Sequence, residues 1–279
     1  MFKYSHIGIS FSDEFMRFVK LSRRKGIFSL DHYEEKKLPP DAIMGGVLKN
    51  RKEITEAVRY LRQKFGVKFA RVALPEEEKD IFEDSLGDWR EIFSEAGIFP
   101  SSFEPAGQAI ERAVIRKGDK GTYMIVDIGR HSTSVFVADE EKIVLSSALD
   151  AGGETLVRVA EKESIKKEFG LSRSIVIEEI SSSMVGGITI LREELSKIFM
   201  SWNNLRYKDG GRMPEIKKII LCGESAGMKG LDEFLAVSFK IKTELGDVWT
   251  NILDPREEIP EITFHESLSY AAALGAALK

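Results

Sequence analysis

The chain has 279 residues, of which 43% are hydrophobic and 31% are charged, and its formal net charge is −4 at pH 7. This length is enough for two lobes with separate cores, and the balance of apolar and charged residues excludes disordered and fibrous classes. Lysines and arginines are scattered among acidic residues, so no basic face for nucleic acid is predicted.

No secreted or membrane-spanning segment is predicted. The N-terminus lacks the apolar core and the small-residue cleavage site of a secretory signal. The longest apolar run, Ala271 to Leu278, is much shorter than the roughly 20 residues needed to cross a bilayer. We therefore expect a cytoplasmic protein without direct membrane insertion.

Cysteine and histidine usage argues against a disulfide and against a metal site. Cys222 is the single cysteine and follows three apolar residues, which predicts a small buried side chain in a reducing compartment. The histidines are not spaced like metal ligands, either with one another or with Cys222. No metal site made of protein ligands alone is predicted.

The first half of the chain opens with a predicted β-hairpin in residues 6–21, where two apolar strands flank a polar turn at Ser12 and Asp13. Residues 52–65 predict a helix because apolar side chains recur three and four positions apart. The other predicted elements are strands near 28–37 and at 69–74 and helices at 89–96 and 105–115. Residues 76–88 are mostly acidic and polar, so we expect a short helix or a loop there.

The second half opens with another predicted hairpin, in residues 122–137. Laid on the first hairpin, it places Asp127 on Ser10 and Gly129 on Ser12, an offset of 117 residues. The remaining predicted elements are strands at 142–149, 217–222 and 240–244 and helices at 152–169, 185–207, after residue 227 and at 267–278. The halves therefore look duplicated, and the alternation predicts an α/β fold of mixed sheets flanked by helices.

The turn of the second hairpin is a candidate site for a magnesium-bound phosphate. Asp127 ends a strand and could hold magnesium, while Gly129 lets the backbone approach an anion. Ser132 and Thr133 add hydroxyl donors. Taken alone, the pattern is also typical of a plain hairpin turn.

Two further glycine-bearing turns are candidates for the same ligand. Gly152 and Gly153 open a helix whose first N–H groups could meet a phosphate, although a simple strand-to-helix turn has the same appearance. Gly223, Glu224 and Ser225 follow an apolar strand and could contact a nucleoside, or form only a turn. The order of the three turns carries more information than any one of them.

That order resembles the actin, Hsp70 and sugar-kinase superfamily, and within it the sequence is most similar to the PilM family of type IV pilus assembly proteins. The similar stretches extend from the first half to the last helix: YLRQKFGVKFARVALPEE (60–77), MIVDIGRHSTSVFVADEEKIVLSSALDAGGETL (124–156), IKKIILCGESAGMKGLDEFLAVSF (216–239), DVWTNI (247–252) and SLSYAAALGAALK (267–279).

The resemblance implies an actin-like, Hsp70-type pair of duplicated lobes, expected at residues 1–118 and 119–279, with ATP and Mg²⁺ held by two phosphate hairpins and an adenosine turn. It also implies a location at the inner face of the cytoplasmic membrane, reached through a PilN-like inner-membrane protein whose short cytoplasmic tail is bound. The predicted function is a scaffold in type IV pilus assembly, or in a related type II secretion-like system.

The chain departs from this family at the first phosphate hairpin. The family motif there, G-I-D-I-G, reads G-I-S-F-S, so Ser10 replaces the carboxylate and Ser12 replaces the glycine. Glu224 stands where the family usually has glycine in the adenosine turn. We therefore expect ATP and Mg²⁺ to bind with low affinity or not at all, and no catalytic residue is identified.

A further departure is the reduction near 75–89 of the small subdomain that the family inserts into its first lobe. Two alternatives within the superfamily remain open. One is a cell-division protein of the FtsA kind, although the chain shows no linker and amphipathic C-terminal helix for membrane attachment. The other is a nucleotide-dependent small-molecule kinase, for which no aspartate base is identified. Homo-oligomers are also open, because the 185–207 helix has an apolar stripe that could face either a neighbouring copy or the core.

Overall fold

The computed structural model describes residues 5–24, 27–75, 79–156, 185–207, 210–252 and 260–279. The strands are β1 (Ser5–Phe11), β2 (Phe15–Arg24), β3 (Ile27–Lys37), β4 (Ile43–Met44), β5 (Val47–Leu48), β6 (Phe69–Leu74), β7 (Phe99–Pro105), β8 (Thr122–Ile128), β9 (Thr133–Asp139), β10 (Lys142–Leu149), β11 (Lys218–Cys222) and β12 (Lys242–Leu245). The helices are α1 (Arg51–Phe65), α2 (Lys79–Glu95), α3 (Ala106–Val114), α4 (Val185–Asn204), α5 (Leu231–Phe239), α6 (Phe264–Ser267) and α7 (Ala271–Leu278). Residues 153–156 are also helical.

The chain divides into two units. The first comprises Met1–Lys117 and Asp247–Lys279, and the second is Gly118–Gly246. The predicted second lobe, 119–279, differs from this division at residues 247–279. These residues belong to the first unit because α7 packs against β1, β6 and α3.

The first unit is built on a five-stranded mixed sheet with the order β3-β2-β1-β6-β7. β1 pairs antiparallel with β2 and parallel with β6, and β7 continues the parallel part. The core of this unit contains four large aromatic side chains, those of Phe11, Phe18, Trp89 and Phe93. Helices α1 and α2 pack their apolar faces into the same core. α3 and α7 contribute to a second, alanine-rich cluster.

Local sequence signals set the bounds of α1. The side chain of Asn50 accepts a hydrogen bond from Glu53 N at 3.4 Å, which caps the first turn. Gly66 ends the helix in the left-handed region at φ 63°, where a glycine has no steric penalty. The buried face carries Ile54, Val58 and Leu61. The helix therefore follows its predicted 52–65 span closely.

The second unit repeats the first. Its sheet has the order β10-β9-β8-β11-β12, with antiparallel pairs on one side of β8 and parallel pairs on the other. Both hairpins also have the same register, because Ser10 pairs with Arg17 as Asp127 pairs with Ser134. The predicted α/β class of two mixed sheets flanked by helices is confirmed.

The turns of the two hairpins close with the same hydrogen bond. Ser12 N donates to Phe15 O at 2.9 Å, and Gly129 N donates to Ser132 O at 2.9 Å. Each donor is separated from its counterpart by the same 117 positions that the sequence predicts. The duplication therefore extends to individual backbone contacts.

The structure departs from the predicted elements in two places, and a third prediction lies mostly outside the described residues. The loop or short helix expected at 76–88 and the helix at 89–96 are, from Lys79 onward, the single helix α2. β7 was not predicted, and it forms by parallel pairing with β6. The helix predicted at 152–169 is described only as far as residue 156, and its remainder lies outside the described residues.

The apolar stripe of α4 lies in the core of the second unit. Leu191, Leu195 and Trp202 are fully buried, and Trp202 Nε1 donates a hydrogen bond to Pro214 O at 2.8 Å. None of the helices within the described ranges combines the length and hydropathy of a membrane span.

Candidate functional site

The nine predicted nucleotide-binding residues all lie in the second unit: Asp127, Gly129, Ser132, Thr133, Gly152, Gly153, Gly223, Glu224 and Ser225. They occupy three segments that the backbone joins directly. Gly153 N donates to Gly129 O at 2.9 Å, and Ser225 N donates to Ile128 O at 2.9 Å. The turn after β8, the helix start at residue 153 and the turn after β11 therefore form one cluster.

This cluster lies where β8 and β11 end. The two strands are parallel, with Asp127 directly opposite Cys222 in the ladder. Parallel strands bring their carboxyl ends to the same edge of a sheet, and ligands of open α/β sheets bind outside that edge. The three turns are therefore in the part of the second unit where a ligand is most often found.

The glycines of the cluster are required by close packing of its segments. A Cβ on Gly152 would lie 2.5 Å from the carbonyl carbon of Arg130, and one on Gly153 would overlap the side chain of Ser225. Gly223, at φ 92°, has the Asp127 carboxylate 2.5 Å from the position a Cβ would take. Such separations are far shorter than any van der Waals contact. These glycines let the three segments touch, whether or not a ligand binds.

The first backbone N–H groups of the helix that starts at residue 153 donate hydrogen bonds within the protein. Gly153 N and Glu154 N donate to the carbonyls of Gly129 and Arg130, at 2.9 and 2.8 Å. A helix N-terminus binds anions through such otherwise unsatisfied N–H groups. These two N–H groups are therefore occupied by the hairpin and are not offered to a phosphate.

Thr133 has a structural role. It is fully buried, and its Oγ1 donates a hydrogen bond to Ala151 O at 2.5 Å. The expectation that its hydroxyl contacts a ligand does not match this placement. Asp127, Gly129 and Ser132 are only partly buried, so they lie closer to solvent.

Cys222 is buried beside Asp127 and behaves as a core residue. Burial and, secondarily, the nearby charge of Asp127 raise the pKa of the Cys222 thiol well above its ordinary value. The thiol therefore stays protonated and uncharged, and Cys222 packs as a small hydrophobic side chain. The placement matches the buried role predicted for this cysteine.

The tip of the second hairpin carries basic side chains that the sequence analysis did not single out. Arg130 and His131 are exposed there, and His131 Nδ1 lies 3.1 Å from Glu154 Oε2. Both residues follow directly after Asp127-Ile128-Gly129. The sequence could have revealed them, because in the alignment of the two hairpins they take the positions of Asp13 and Glu14. Arg130 carries a positive charge at this tip, and the Glu154 carboxylate lies beside His131, so the tip holds charges of both signs.

The first hairpin has acidic residues at its tip. The positions of Arg130 and His131 are taken by Asp13 and Glu14. Asp13 has an internal role, because its two carboxylate oxygens accept hydrogen bonds from the N–H groups of Gly45 and Gly46, each at 3.1 Å. This carboxylate closes the β4–β5 turn and would repel a phosphate.

Ser12 serves the first turn itself. Its Oγ accepts a hydrogen bond from Phe15 N at 3.2 Å. Ser10 is buried, and the residue opposite it in the sheet is Arg17, whose Nε lies 2.7 Å from Glu35 Oε2. The aspartate–serine pair of the second hairpin is therefore replaced by a serine and an ion-paired arginine.

The fit to magnesium and nucleotide is thus uneven. In the second unit, Asp127 could hold a hydrated magnesium ion, with Gly129 and Ser132 beside it. In the first unit, neither Ser10 nor Ser12 supplies a carboxylate. Across the described ranges, no three His, Cys, Asp or Glu side chains gather closely enough to hold a metal ion by themselves.

Comparison with known proteins identifies the fold. No protein-family model and no curated protein matches the sequence. Among solved structures, the chain is similar to one described as a PilM–PilN type IV pilus biogenesis complex, with a TM-score of 0.71 and 16% identity over 99% of this chain and 98% of the other. It is also similar to the ethanolamine utilization protein EutJ from Carboxydothermus hydrogenoformans, with a TM-score of 0.63 and 15% identity over 100% and 90% of the two chains.

A third similar structure is MreB5 of Spiroplasma citri bound to ADP, with a TM-score of 0.62 and 13% identity over 98% of this chain and 95% of the other. The identities are low, so these likenesses establish the fold and leave the activity open. The chain has the actin-like ATPase fold, and the predicted resemblance to PilM is confirmed at the level of structure.

Proposed function

We propose that the chain is a cytoplasmic actin-like scaffold in type IV pilus assembly or in a related type II secretion-like system. In this role it binds a PilN-like inner-membrane protein through that protein's short cytoplasmic tail, and so stays peripheral to the inner face of the membrane. The observation that carries the proposal is the structural likeness to a PilM–PilN complex over 99% of this chain and 98% of the other.

The charges of the two hairpins support a scaffold with weak or lost nucleotide binding. When bound, magnesium would neutralise phosphate charge; Asp127 is the side chain of the cluster suited to hold it. The first hairpin has no corresponding carboxylate, because Ser10 takes the position of Asp127, and its tip carries Asp13 and Glu14. Repeated hydrolysis needs a complete phosphate clamp, so we expect partner binding without ATP turnover.

Partner binding is tested by titrating the full chain with a synthetic peptide of the cytoplasmic tail of the PilN-like protein from the same cell. We expect saturable binding, and the same affinity with and without magnesium-ATP. A reversed-sequence peptide of equal composition is the control. Absence of binding, or ATP consumption that rises with the tail peptide, would contradict the scaffold proposal.

Nucleotide binding is tested by isothermal titration with magnesium-ATP of the unaltered chain, an Asp127→Asn variant and an Asp84→Asn control on α2. If the second-unit cluster holds a nucleotide weakly, heat is released by the unaltered chain and the control and disappears in Asp127→Asn. Equal heat in all three would exclude Asp127 as the magnesium-side carboxylate. No heat in any of them would favour a scaffold that has lost its nucleotide.

A further inference from the structure

A groove in the first unit lies between α2 and β7. Its volume is about 320 Å³, at the lower end of the roughly 300–1,000 Å³ typical of ligand pockets. The lining combines apolar residues, among them Leu86, Ile98, Phe99 and Phe103, with four polar ones that include Arg90 and Ser102. A space of this size suits a short segment of chain.

Ser102 contributes an unsatisfied polar atom to this groove. Its Oγ is buried and has no hydrogen-bond partner within the described part of the chain. Most buried side-chain polar atoms in proteins are hydrogen-bonded, and each exception calls for an explanation, such as strain, a functional role, or a bound water or ion. A bound group that accepts or donates one hydrogen bond would satisfy Ser102.

Arg90 contributes an uncompensated positive charge. It is exposed, and no ion pair joins it to another residue in the described ranges. The neighbouring carboxylates of Glu91 and Glu95 are held by Arg51, at 2.5 and 2.7 Å. The groove therefore presents a guanidinium group that a carboxylate could pair with.

The rim of the groove is aromatic. Phe99 is 58% exposed, and its ring centroid lies 6.1 Å from that of Phe69, which is 62% exposed. Exposed aromatic side chains are typical of surfaces that bind other proteins. Phe99 and Phe69 therefore extend the apolar part of the groove onto the surrounding surface.

The adjacent sheet edge is poorly suited to adding a strand. β7 is the last strand in the sheet order, yet Pro100 lacks an N–H group, and the pairing with β6 shifts between Pro100 and Ser102. A regular ladder of backbone hydrogen bonds cannot continue across this irregularity. Recognition at this groove therefore depends on side chains.

We propose that the groove binds an extended peptide segment of a protein partner, in which a large apolar side chain is next to an aspartate or glutamate. The apolar side chain packs among Leu86, Ile98 and Phe103. The carboxylate pairs with Arg90 and accepts a hydrogen bond from Ser102 Oγ. This inference deepens the proposed partner-binding role and rests on it.

The test begins with a random dodecapeptide phage library panned on the full chain. We expect an enriched motif with Leu, Phe or Met next to Asp or Glu. The enriched peptide is then titrated into the unaltered chain and into Arg90→Glu, Ser102→Ala and a Lys52→Glu control on α1. Arg90→Glu should weaken binding at least tenfold and should prefer a peptide whose acidic residue is replaced by lysine.

Ser102→Ala separates ligand binding from a structural role. Removing an unsatisfied buried hydroxyl should leave the melting temperature unchanged or raise it, while the peptide binds several-fold more weakly. Lys52→Glu should bind like the unaltered chain. An enriched motif without acidic residues, no enrichment at all, or equal affinity in Arg90→Glu would overturn the proposal.

The outcome is separable from that of the tail-peptide titration. Tail binding that survives Arg90→Glu would leave the scaffold proposal standing and remove the groove as its docking site. Binding of the enriched acidic peptide without tail binding would support the groove and reject the PilN-like partner.

Discussion

At the scale of single residues, His6 illustrates how burial controls a titration. It lies on β1 with its Nδ1 3.2 Å from an Arg71 guanidinium nitrogen, and its ring makes an edge contact with Phe28 at 5.0 Å between centroids. Burial and, next, the positive charge of Arg71 lower the pKa of His6 below 6.5. His6 is therefore expected to be neutral in the folded protein at pH 7.

The stability of the first unit should fall in acid because of His6. Its folded pKa is depressed, so between that value and 6.5 the unfolded chain binds more protons, and the free energy of unfolding decreases as the pH falls below 6.5. Urea unfolding at pH 7.5 and pH 5.5 measures the decrease. His6→Gln should lessen it, and an unchanged pH dependence in His6→Gln would argue against this assignment.

Glu104 is a second residue whose environment decides its contribution. It is 2% exposed, and its two oxygens accept hydrogen bonds from Arg112 Nη1 and Nη2 at 3.0 and 2.8 Å. Lys279 Nζ lies 3.1 Å away. The buried carboxylate is thus compensated by two cations, and losing either leaves part of its charge unpaired.

Replacing Arg112 with Met should destabilise the protein by about 3 kcal/mol, because the Glu104 carboxylate would remain buried with only Lys279 beside it. Chemical denaturation measures the loss. In the Glu104→Gln, Arg112→Met double variant no charge is buried unpaired, so we expect part of the stability to return. A double variant as unstable as the sum of the single changes would show that the two side chains do not interact.

At the scale of elements, the close packing of α7 against α3 and β1 depends on two glycines. A Cβ on Gly275 would overlap the backbone carbonyl of Ala109 on α3, and one on Gly8 of β1 would lie 2.8 Å from Ala277 N. Both contacts involve backbone atoms, which cannot rotate away as a side chain would. The helix is consequently packed closely on both neighbours, and its alanines fill the remaining space.

Gly275→Ala should therefore destabilise the protein by about 1–3 kcal/mol through overpacking, despite alanine's higher helix propensity. Gly87→Ala on α2 is the matched control, since a Cβ there meets nothing within 4 Å. That change should stabilise by about 0.5–1 kcal/mol. Thermal unfolding of both variants gives the comparison, and equal shifts of the same sign would refute the packing argument.

At the scale of the whole molecule, duplication has preserved backbone geometry while side chains diverged. The hairpins share register and turn hydrogen bond, yet one tip carries Asp13 and Glu14 and the other Arg130 and His131. Geometry and charge are thus separable in this fold, because backbone pairing places few demands on exposed turn residues. The two hairpins no longer suit the same ligand.

Because α7 belongs to the first unit, its deletion should destabilise the sheet of that unit. Deleting residues 271–279 uncovers apolar surface on β1, β6 and α3, so amide protons of β1 and β6 should lose protection from hydrogen exchange. Amides of β8 and β11 serve as the internal reference, since they belong to the second unit. Retained protection in β1 and β6 would mean that α7 is dispensable for that sheet.

Much of the fold was predictable because its signals are local. The alternation in residues 6–21 and 122–137 and the stripe of α1 depend on side-chain periods of 2 and 3.6, which any neighbouring residues reveal. β7 was not predictable in this way, since FPSSFEP has two prolines and little alternation, and its strand geometry follows from pairing with β6. The single helix α2 was likewise divided by a change in composition near Trp89.

For the candidate site, the sequence alone predicted Asp127 and the three glycine-bearing turns, in their order along the chain, as candidate ligand-binding segments. Only the tertiary structure decided that Thr133 is buried, that the N–H groups of Gly153 and Glu154 are already satisfied, and that residues 247–279 complete the first unit. The physical reason is that these properties arise from contacts between segments distant in sequence. Local composition carries no record of which segments meet.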